Sequence, residues 1–539
     1  MSRNLLISLV TSLVASQVLG QQPAPSGTIK EAEFIIEKEK QNRLPESPRL
    51  FEKAPLPTSV PDNTVGLQYE LWEIVPEFNT LAHKIKVLRA KQDLLARLYG
   101  NYVRGGYGNY HTPYVEVFFD NKRDAGHAYG LHLRHLSRGK NRYAEELHNA
   151  ARLHGKLFTT HWLLDGAIWY SGDQYPLAKL NNGPDKAQAF RQIHLHSGLA
   201  NYHPSQFNYQ VHGQFNHLSN TQEAHEHQGG VGGAMAYTVH DGFVLQAITD
   251  LYLSQHQDVV AINRHLGRLK PTLTFWLNDW KVQAGFNLVY QNDTAGVVNQ
   301  LNAYPVLELN YTLRRWFRPY IRIGGDMQQN FWQSFVAENP WLAPKADLRH
   351  TNQSLVLCGG AQGDVTAKLA FHAGFSIGSY QNFYCFVNNA AEPRQFDIQY
   401  DPATTMLNVF GELTQTNRAE TLITRLRGGY CYYKLKQLPK PWHRPHYRLD
   451  LLSTYSLYDK ILFKGTVYWL GGLEAWDLNT QTAQSLADVI DLGIGMDYLW
   501  SQRLSVFLDC QNLLARANAR YLQGPTRGFQ FILGLAYAW

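Results

Sequence analysis

The feature that most constrains this chain is a two-residue rhythm with inverted polarity. From about residue 94 to the end, extended segments of about ten residues place large apolar side chains at every second position. The alternate positions carry Gln, Asn, His and Gly, with occasional Lys, Arg, Asp and Glu. In 527–539, Phe529, Phe531, Leu533, Leu535, Tyr537 and Trp539 share one face, while Gly528, Gln530, Gly534, Ala536 and Ala538 share the other, with Ile532 the only large apolar residue among them. In 207–216, Phe207, Tyr209, Val211 and Phe215 oppose Gln210, His212, Gln214 and Asn216. In 282–290, Val282, Phe286, Leu288 and Tyr290 oppose Gln283 and Asn287, and in 367–377, Phe371, Phe375 and Ile377 oppose Lys368, His372 and Ser376. Weaker copies recur near 112–120, 127–137, 160–170, 243–254, 303–312, 404–413, 446–458, 463–475 and 503–513.

One alternating strand fits a soluble sandwich as well as a membrane barrel. A long series whose second face is wet fits strands with one face on hydrocarbon and the other on an aqueous lumen. Backbone groups in a bilayer must all be paired, so such strands have to close on themselves. The expected fold is all-β: a transmembrane antiparallel β-barrel of about 22 strands over 94–539, with 18 or 20 also compatible with the segment count. Composition agrees. The chain holds 31 Tyr, 25 Phe and 13 Trp but only 5 Met, yet its mean hydropathy is −0.34. After the first twenty residues no segment has an apolar run long enough for a helical span.

Residues 1–20 read as a signal peptide. Arg3 supplies a positive n-region, Leu5 to Leu19 an apolar core, and Val18 and Gly20 the small residues before a cut at Gln21. Residues 21–93 read as a periplasmic leader. Pro23, Pro25, Pro45, Pro48, Pro55, Pro57 and Pro61 keep its first part extended, with one short amphipathic helix expected between Ile29 and Arg43. Connections are expected to alternate in length. Asn121 to Asp124 and Trp500 to Arg503 read as tight turns, and 171–186, 328–352 and 434–446 as long loops, with a short helix in 331–349.

Chemistry-bearing clusters are sparse. The net charge of +6 is spread along the chain, with no basic stripe interleaved with aromatics, so nucleic acid is not an expected partner. Cys358, Cys385, Cys431 and Cys510 lack metal-type spacing and read as ordinary strand residues, although a disulfide is compatible with an oxidising compartment. His225, Glu226 and His227 with nearby His217 are the densest ionisable group. On a strand, however, the two flanking His share one face and Glu226 takes the other, so strand and turn polarity explains them better than metal binding. His194 and His196 are same-face lumen residues by the same argument. No GxSxG elbow, HExxH helix or phosphate loop is present, so no enzyme, cofactor or metal is expected. Lumen-facing Gln210, His212, Gln214, Asn216, Gln283, Asn287, Glu308, Lys368 and His372 are the candidates for solute contact, and their mostly neutral character suits sugars or peptides.

The C-terminal half resembles the barrel of TonB-dependent receptors of the Bacteroidota type. The carrying segments are NPWLAPKADLRHT at 339–351, FVNN at 386–389, FDIQYDP at 396–402, WHRPHYRLDLLSTYSLYDKI at 442–461, FLDCQNLLA at 507–515 and YLQGPTRGFQFILGLAYAW at 521–539. The resemblance implies an outer-membrane location, contact with outer-membrane lipid, and insertion by the barrel-assembly machinery through a terminal aromatic, here Trp539. It covers only the barrel. Family members carry a plug domain of well over a hundred residues, which the stretch between Gln21 and the first convincing strand is too short to hold. The expected function is therefore a plug-less outer-membrane channel admitting small polar solutes. The alternatives are a non-conducting scaffold or subunit of an outer-membrane complex, and a TonB-linked receptor whose plug comes from a periplasmic or outer-membrane partner.

Overall fold

The structure, a computed structural model, describes residues 99–539 apart from 122–123, 140–144, 178–185, 294, 418 and 479. The expected signal peptide and leader lie outside the described residues. Twenty-two strands form one antiparallel sheet. Each pairs with the next, and the first (Asn101–Gly108) closes on the last (Gln530–Ala538), with Tyr102 opposite Ala538 and Gly108 opposite Ile532. The closed barrel is as the alternation requires, and its 22 strands match the expected number of about 22.

The closing seam is built on glycine. A Cβ on Gly108 would lie 2.1 Å from the Phe531 carbonyl oxygen, and one on Gly534 2.2 Å from that of Gly105. No other residue lets the two backbones approach so closely.

Strand faces follow the inverted pattern. Leu133, Leu153, Ile168, Leu195, Val231, Leu251, Phe286, Phe375, Val409, Leu533 and Leu535 are exposed on the outside. Large exposed aromatics crowd one rim: Trp162, Tyr237, Trp276, Trp280, Trp316, Tyr458, Trp500 and Trp539. Rings that are apolar in the body and polar at the tip favour a membrane–water boundary, so the aromatic row marks one interface of a membrane belt. Phe531, Tyr537 and Trp539 are likewise exposed. Phe529 precedes the last strand and stacks on Phe531.

The two rims differ. At one, which also carries Asn101 and Trp539, connections are short: 159–161, 241–242, 278–279, 367–368, 458–460 and 500–503. At the other lie 177–186, 292–300, 329–350, 382–403, 435–446, 472–488 and 512–529. All three expected long loops belong to this second rim, but 171–176 is wall, because the strand Trp162–Pro176 runs further than its apolar alternation does. The expected turns 121–124 and 500–503 belong to the first rim, residues 122–123 lying outside the described part.

Loops of the second rim pack into a cap with its own core. Helix α1 (Trp332–Glu338) buries Trp332, Phe335 and Val336. These meet Leu342, Leu348, Tyr384, Phe386, Phe396, Ile398 and Tyr521, and Phe190 and Leu218 from the wall. The helix lies within the segment where one was expected and ends at Asn339 before Pro340, where a continuing turn would lose its N–H. A hairpin pairs Phe383–Asn388 with Phe396–Asp401. Its first strand is buried along its whole length. Tyr384 and Phe386 enter the core just described, while Phe383, Cys385 and Val387 enter a second one with Tyr380 and Trp442. A strand apolar on both faces is one buried on both faces. The segments 339–351, 386–389 and 396–402, which the resemblance treats as barrel sequence, thus belong to the cap. All four cysteines are free, and Cys385 is the one placed in the cap rather than the wall.

Candidate functional site

The polar faces turn inward into a continuous lining. Across one arc, Asp165 pairs with His196 at 3.2 Å, and the His196 and His212 rings lie 6.2 Å apart. Gly232 then leaves room for both His212 and Asp250. Arg268 pairs with Asp250 at 3.4 Å and with Asp326 at 2.9 Å, and Asn287 donates to Asp326. Elsewhere Arg104 pairs with Asp509 at 2.7 Å, Lys464 with Asp497 at 2.9 Å, and Arg322 with Glu308 at 3.1 Å. The lumen wall is therefore a belt of ion pairs, more charged than its Gln- and Asn-rich sequence faces suggest. Alternation shows which face is wet, but carboxylates and cations from different strands meet only once register is fixed.

The nine candidate solute-contact residues do not converge on one place. Gln210, His212, Gln214 and Asn216 share the inner face of the strand Phe207–Asn220. Asn216 is spent on structure: it accepts from Gln192 at 2.7 Å and donates to Gln333 of helix α1 at 2.8 Å. Asn287 is buried and donates to the Gly325 carbonyl. Gln283 donates to Gln246 and Thr272. Glu308 is held by Arg322 and by Asn310. Lys368 is not on a strand at all but in the turn 367–368 of the first rim, because the preceding strand ends at Thr366 and the next begins at Leu369. His372 bonds Tyr320 Oη at 2.8 Å and, alone of the nine, lines a cavity between cap and wall.

That cavity, about 620 Å³, lies where the cap meets the wall. Its cap side is Glu338, Arg444 and Arg520, and its wall side includes His372, Phe410, Glu412, Arg427, Arg448 and Asp450. Glu338 accepts from Arg444 at 2.8 Å, Arg520 at 3.1 Å and Tyr384 Oη at 2.6 Å. Burial opposes the Arg444 charge, but Glu338 beside it more than offsets this, and its pKa is raised. These cations escaped the sequence reading, although a signal was present. Arg444, His446, Arg448 and Asp450 recur at every second position within the very segment that carries the family resemblance.

Polar latches join cap to wall. Glu226, fully buried, accepts from the Trp332 and Gln333 N–H groups at 3.0 and 3.1 Å and so caps the start of α1, which lacks a side-chain cap of its own. His225 and His227 take the opposite face, as expected of a strand, and His227 Nδ1 lies 3.2 Å from His217 Nδ1 on the outside. Among the described residues no three His, Cys, Asp or Glu side chains are grouped to hold a metal. Arg264, 1 % exposed, forks onto Asp293 at 2.8 Å twice and donates to the Asn330 carbonyl. Burial opposes the Asp293 charge, but the Arg264 fork holds its pKa below the usual carboxylate value. His350 accepts at Nδ1 from the Asn330 N–H, and burial with Arg264 nearby lowers its pKa to about 3. His443 accepts at Nε2 from the Leu522 N–H and faces the Phe386 carbonyl at 2.8 Å through Nδ1. Burial lowers its pKa to about 4, so the hydrogen-bonded form is the neutral ring.

Sequence comparison returns neither a matching family model nor a matching curated protein. Comparison of the fold is productive. The FrpB iron transporter of Neisseria meningitidis (F3-3 variant) superposes with a TM-score of 0.64 at 6% identity, over 83% of this chain and 82% of that one. The siderophore receptor PirA of Acinetobacter baumannii gives 0.61 at 11%, over 81% and 80%. The ferripyoverdine receptor of the Pseudomonas aeruginosa outer membrane gives 0.61 at 10%, over 82% and 72%. The resemblance read from the barrel segments holds at the level of the fold: this is a barrel of the kind found in outer-membrane siderophore receptors.

Proposed function

We propose that the chain is an outer-membrane transport barrel that admits small polar solutes through a charged lumen, with an outer mouth roofed by its own loops. The observation that carries this is the cap. A closed 22-strand barrel has one rim bare of long loops and the other covered by a packed layer, latched to the wall by Glu226 and Arg264. Lumen polarity and inward-folded loops are the two physical means by which a pore selects. Insertion would place the short-turn rim in the periplasm, with Trp539 as the terminal aromatic offered to the barrel-assembly machinery and the exposed apolar face on outer-membrane lipid. The division into signal peptide (1–20), leader (21–93) and barrel (94–539) belongs to the same proposal, as does the absence of catalytic chemistry.

Planar-bilayer recording of the purified full-length protein tests it. The native barrel should pass little current, and the double substitution E226A/R264A should raise conductance severalfold by freeing the cap. A barrel that stays closed in both forms and co-purifies with a defined partner would instead be a scaffold. A second reading, an energised receptor with its plug supplied by a partner, is favoured by the fold shared with FrpB and PirA. It requires uptake to vanish when the inner-membrane energising complex is deleted.

A further inference from the structure

Charge in the cavity under the cap does not balance. Three carboxylates are present, and each is already engaged. Glu338 is held by Arg444 and Arg520, Glu412 by Arg425 at 3.6 Å, and Asp450 by Arg448 at 2.7 Å. Arg427 stands directly across from Glu412 on one neighbouring strand and Asp450 on the other. It is exposed, and no ion pair joins it to another described residue. Four lining guanidinium groups (Arg427, Arg444, Arg448 and Arg520) thus face three carboxylates, one of which, Glu412, is also paired with Arg425 from outside the lining, so positive charge is in excess before either His372 or His446 takes a proton. The buried Arg520 Nε–H meets no acceptor.

Guanidinium groups in excess, at the edge of a low-dielectric layer, attract oxyanions with two or more charges, and their forked N–H pairs match carboxylate and phosphate geometry. The volume lies within the roughly 300–1,000 Å³ typical of small-molecule sites. The Phe410 and Tyr433 rings among the lining residues add apolar surface for a carbon skeleton. We infer that this chamber is a binding site for a small oxyanion-bearing solute, a polycarboxylate or a phosphorylated sugar, with Arg427 as its principal unpaired contact. The inference deepens the transport reading by assigning a substrate class, and it revises the expectation of neutral sugars or peptides.

Calorimetric titration of the detergent-purified full-length protein tests it, with citrate and glucose 6-phosphate as probes and glucose and spermidine as counter-probes. The anions should bind, the counter-probes should not, and affinity should fall as KCl rises. R427Q should weaken anion binding about tenfold and R427E should abolish it. R427K, which keeps the charge and loses the fork, should fall between wild type and R427Q. Heat-modifiable migration on gels, a property of the closed barrel, should be unchanged in all three. Glucose or spermidine binding as tightly as the anions, no binding of any probe, or R427E binding like wild type overturns the inference. Conductance separates it from the parent reading. A pore that conducts without binding anions keeps transport and loses this site, and a barrel that binds anions without conducting keeps the site and loses transport.

Discussion

Wall and cap solve the same problem in opposite ways. The wall has little protein core beyond a small cluster around Leu266 and Val289: most of its apolar side chains point away from the chain's own mass, and its polar ones pair between neighbouring strands on the lumen side. The cap has the organisation of a soluble domain, with Phe335, Phe386, Phe396 and Tyr521 buried against one another and polar latches at its margin. The wall's stability therefore depends on the bilayer and on closure of the ladder. The cap's depends on packing, which water enforces. A substitution should reveal which regime its site belongs to.

The largest effect should come from emptying the cap core. F386A should cost the cap about 3–5 kcal/mol. Hydrogen exchange in 329–350 and 382–403 should rise steeply while the heat-modifiable shift of the barrel stays in place. Loss of both together would mean that cap and wall are one unit.

Next, L251R on the outer face should cost the wall about 2–4 kcal/mol in lipid. Urea unfolding in vesicles reads this, and exchange within the cap should be untouched. A cost no larger than that of L251A would put Leu251 outside the hydrocarbon.

Acid should act on the cap alone. His443 and His350 are held neutral by burial, with folded pKa values of about 4 and about 3 against 6.5 for the free ring. Their depressed pKa values mean that unfolding takes up protons, so cap stability is complete above pH 6.5 and falls as the pH drops from there toward 4. The slope is about 1.4 kcal/mol per pH unit for each histidine. Proteolysis of the cap loops at pH 7, 6 and 5 follows it, and H443Q should flatten the curve. A cap equally resistant at all three values would break the argument.

The smallest effect belongs to the latch. E226Q keeps an acceptor for the start of α1 but removes its charge, and should loosen the helix by about 1 kcal/mol. Exchange at the Trp332 and Gln333 amides should rise several-fold without a change in barrel stability.

The same division explains how much of the fold is legible in the sequence. Much of the wall is legible in the sequence, because lipid on one side and water on the other impose a period of two, as in 112–120, which matches the strand Thr112–Asp120 to the residue; strands such as Glu146–Phe158 and Leu422–Lys434, with weaker alternation, are not. Nor is the cap. Phe386 and Val387, within the segment FVNN, read as barrel sequence, since a short apolar run carries no statement about what buries it. Of the chamber, His372 was reached through its place in an alternating strand. Arg427 lies on the strand Leu422–Lys434, whose alternation is too weak to single it out, and Arg444 and Arg520 come from loops that meet only in the folded cap. Lys368 went astray for a simpler reason: alternation extrapolated one step past Leu369 turns a corner residue into a wall residue.

The glycine seam bears on how such a wall could ever part. Where Gly105, Gly106 and Gly108 run beside Gly534, the two backbones meet without side chains of their own between them, and the join is spanned by side chains such as Arg104, which reaches Asp509. Chain order also makes that line the one place where nothing covalent links adjacent staves. A sideways breach of the cylinder, whether for a lipid slipping between staves or for the molecule's own entry into the bilayer, would begin there.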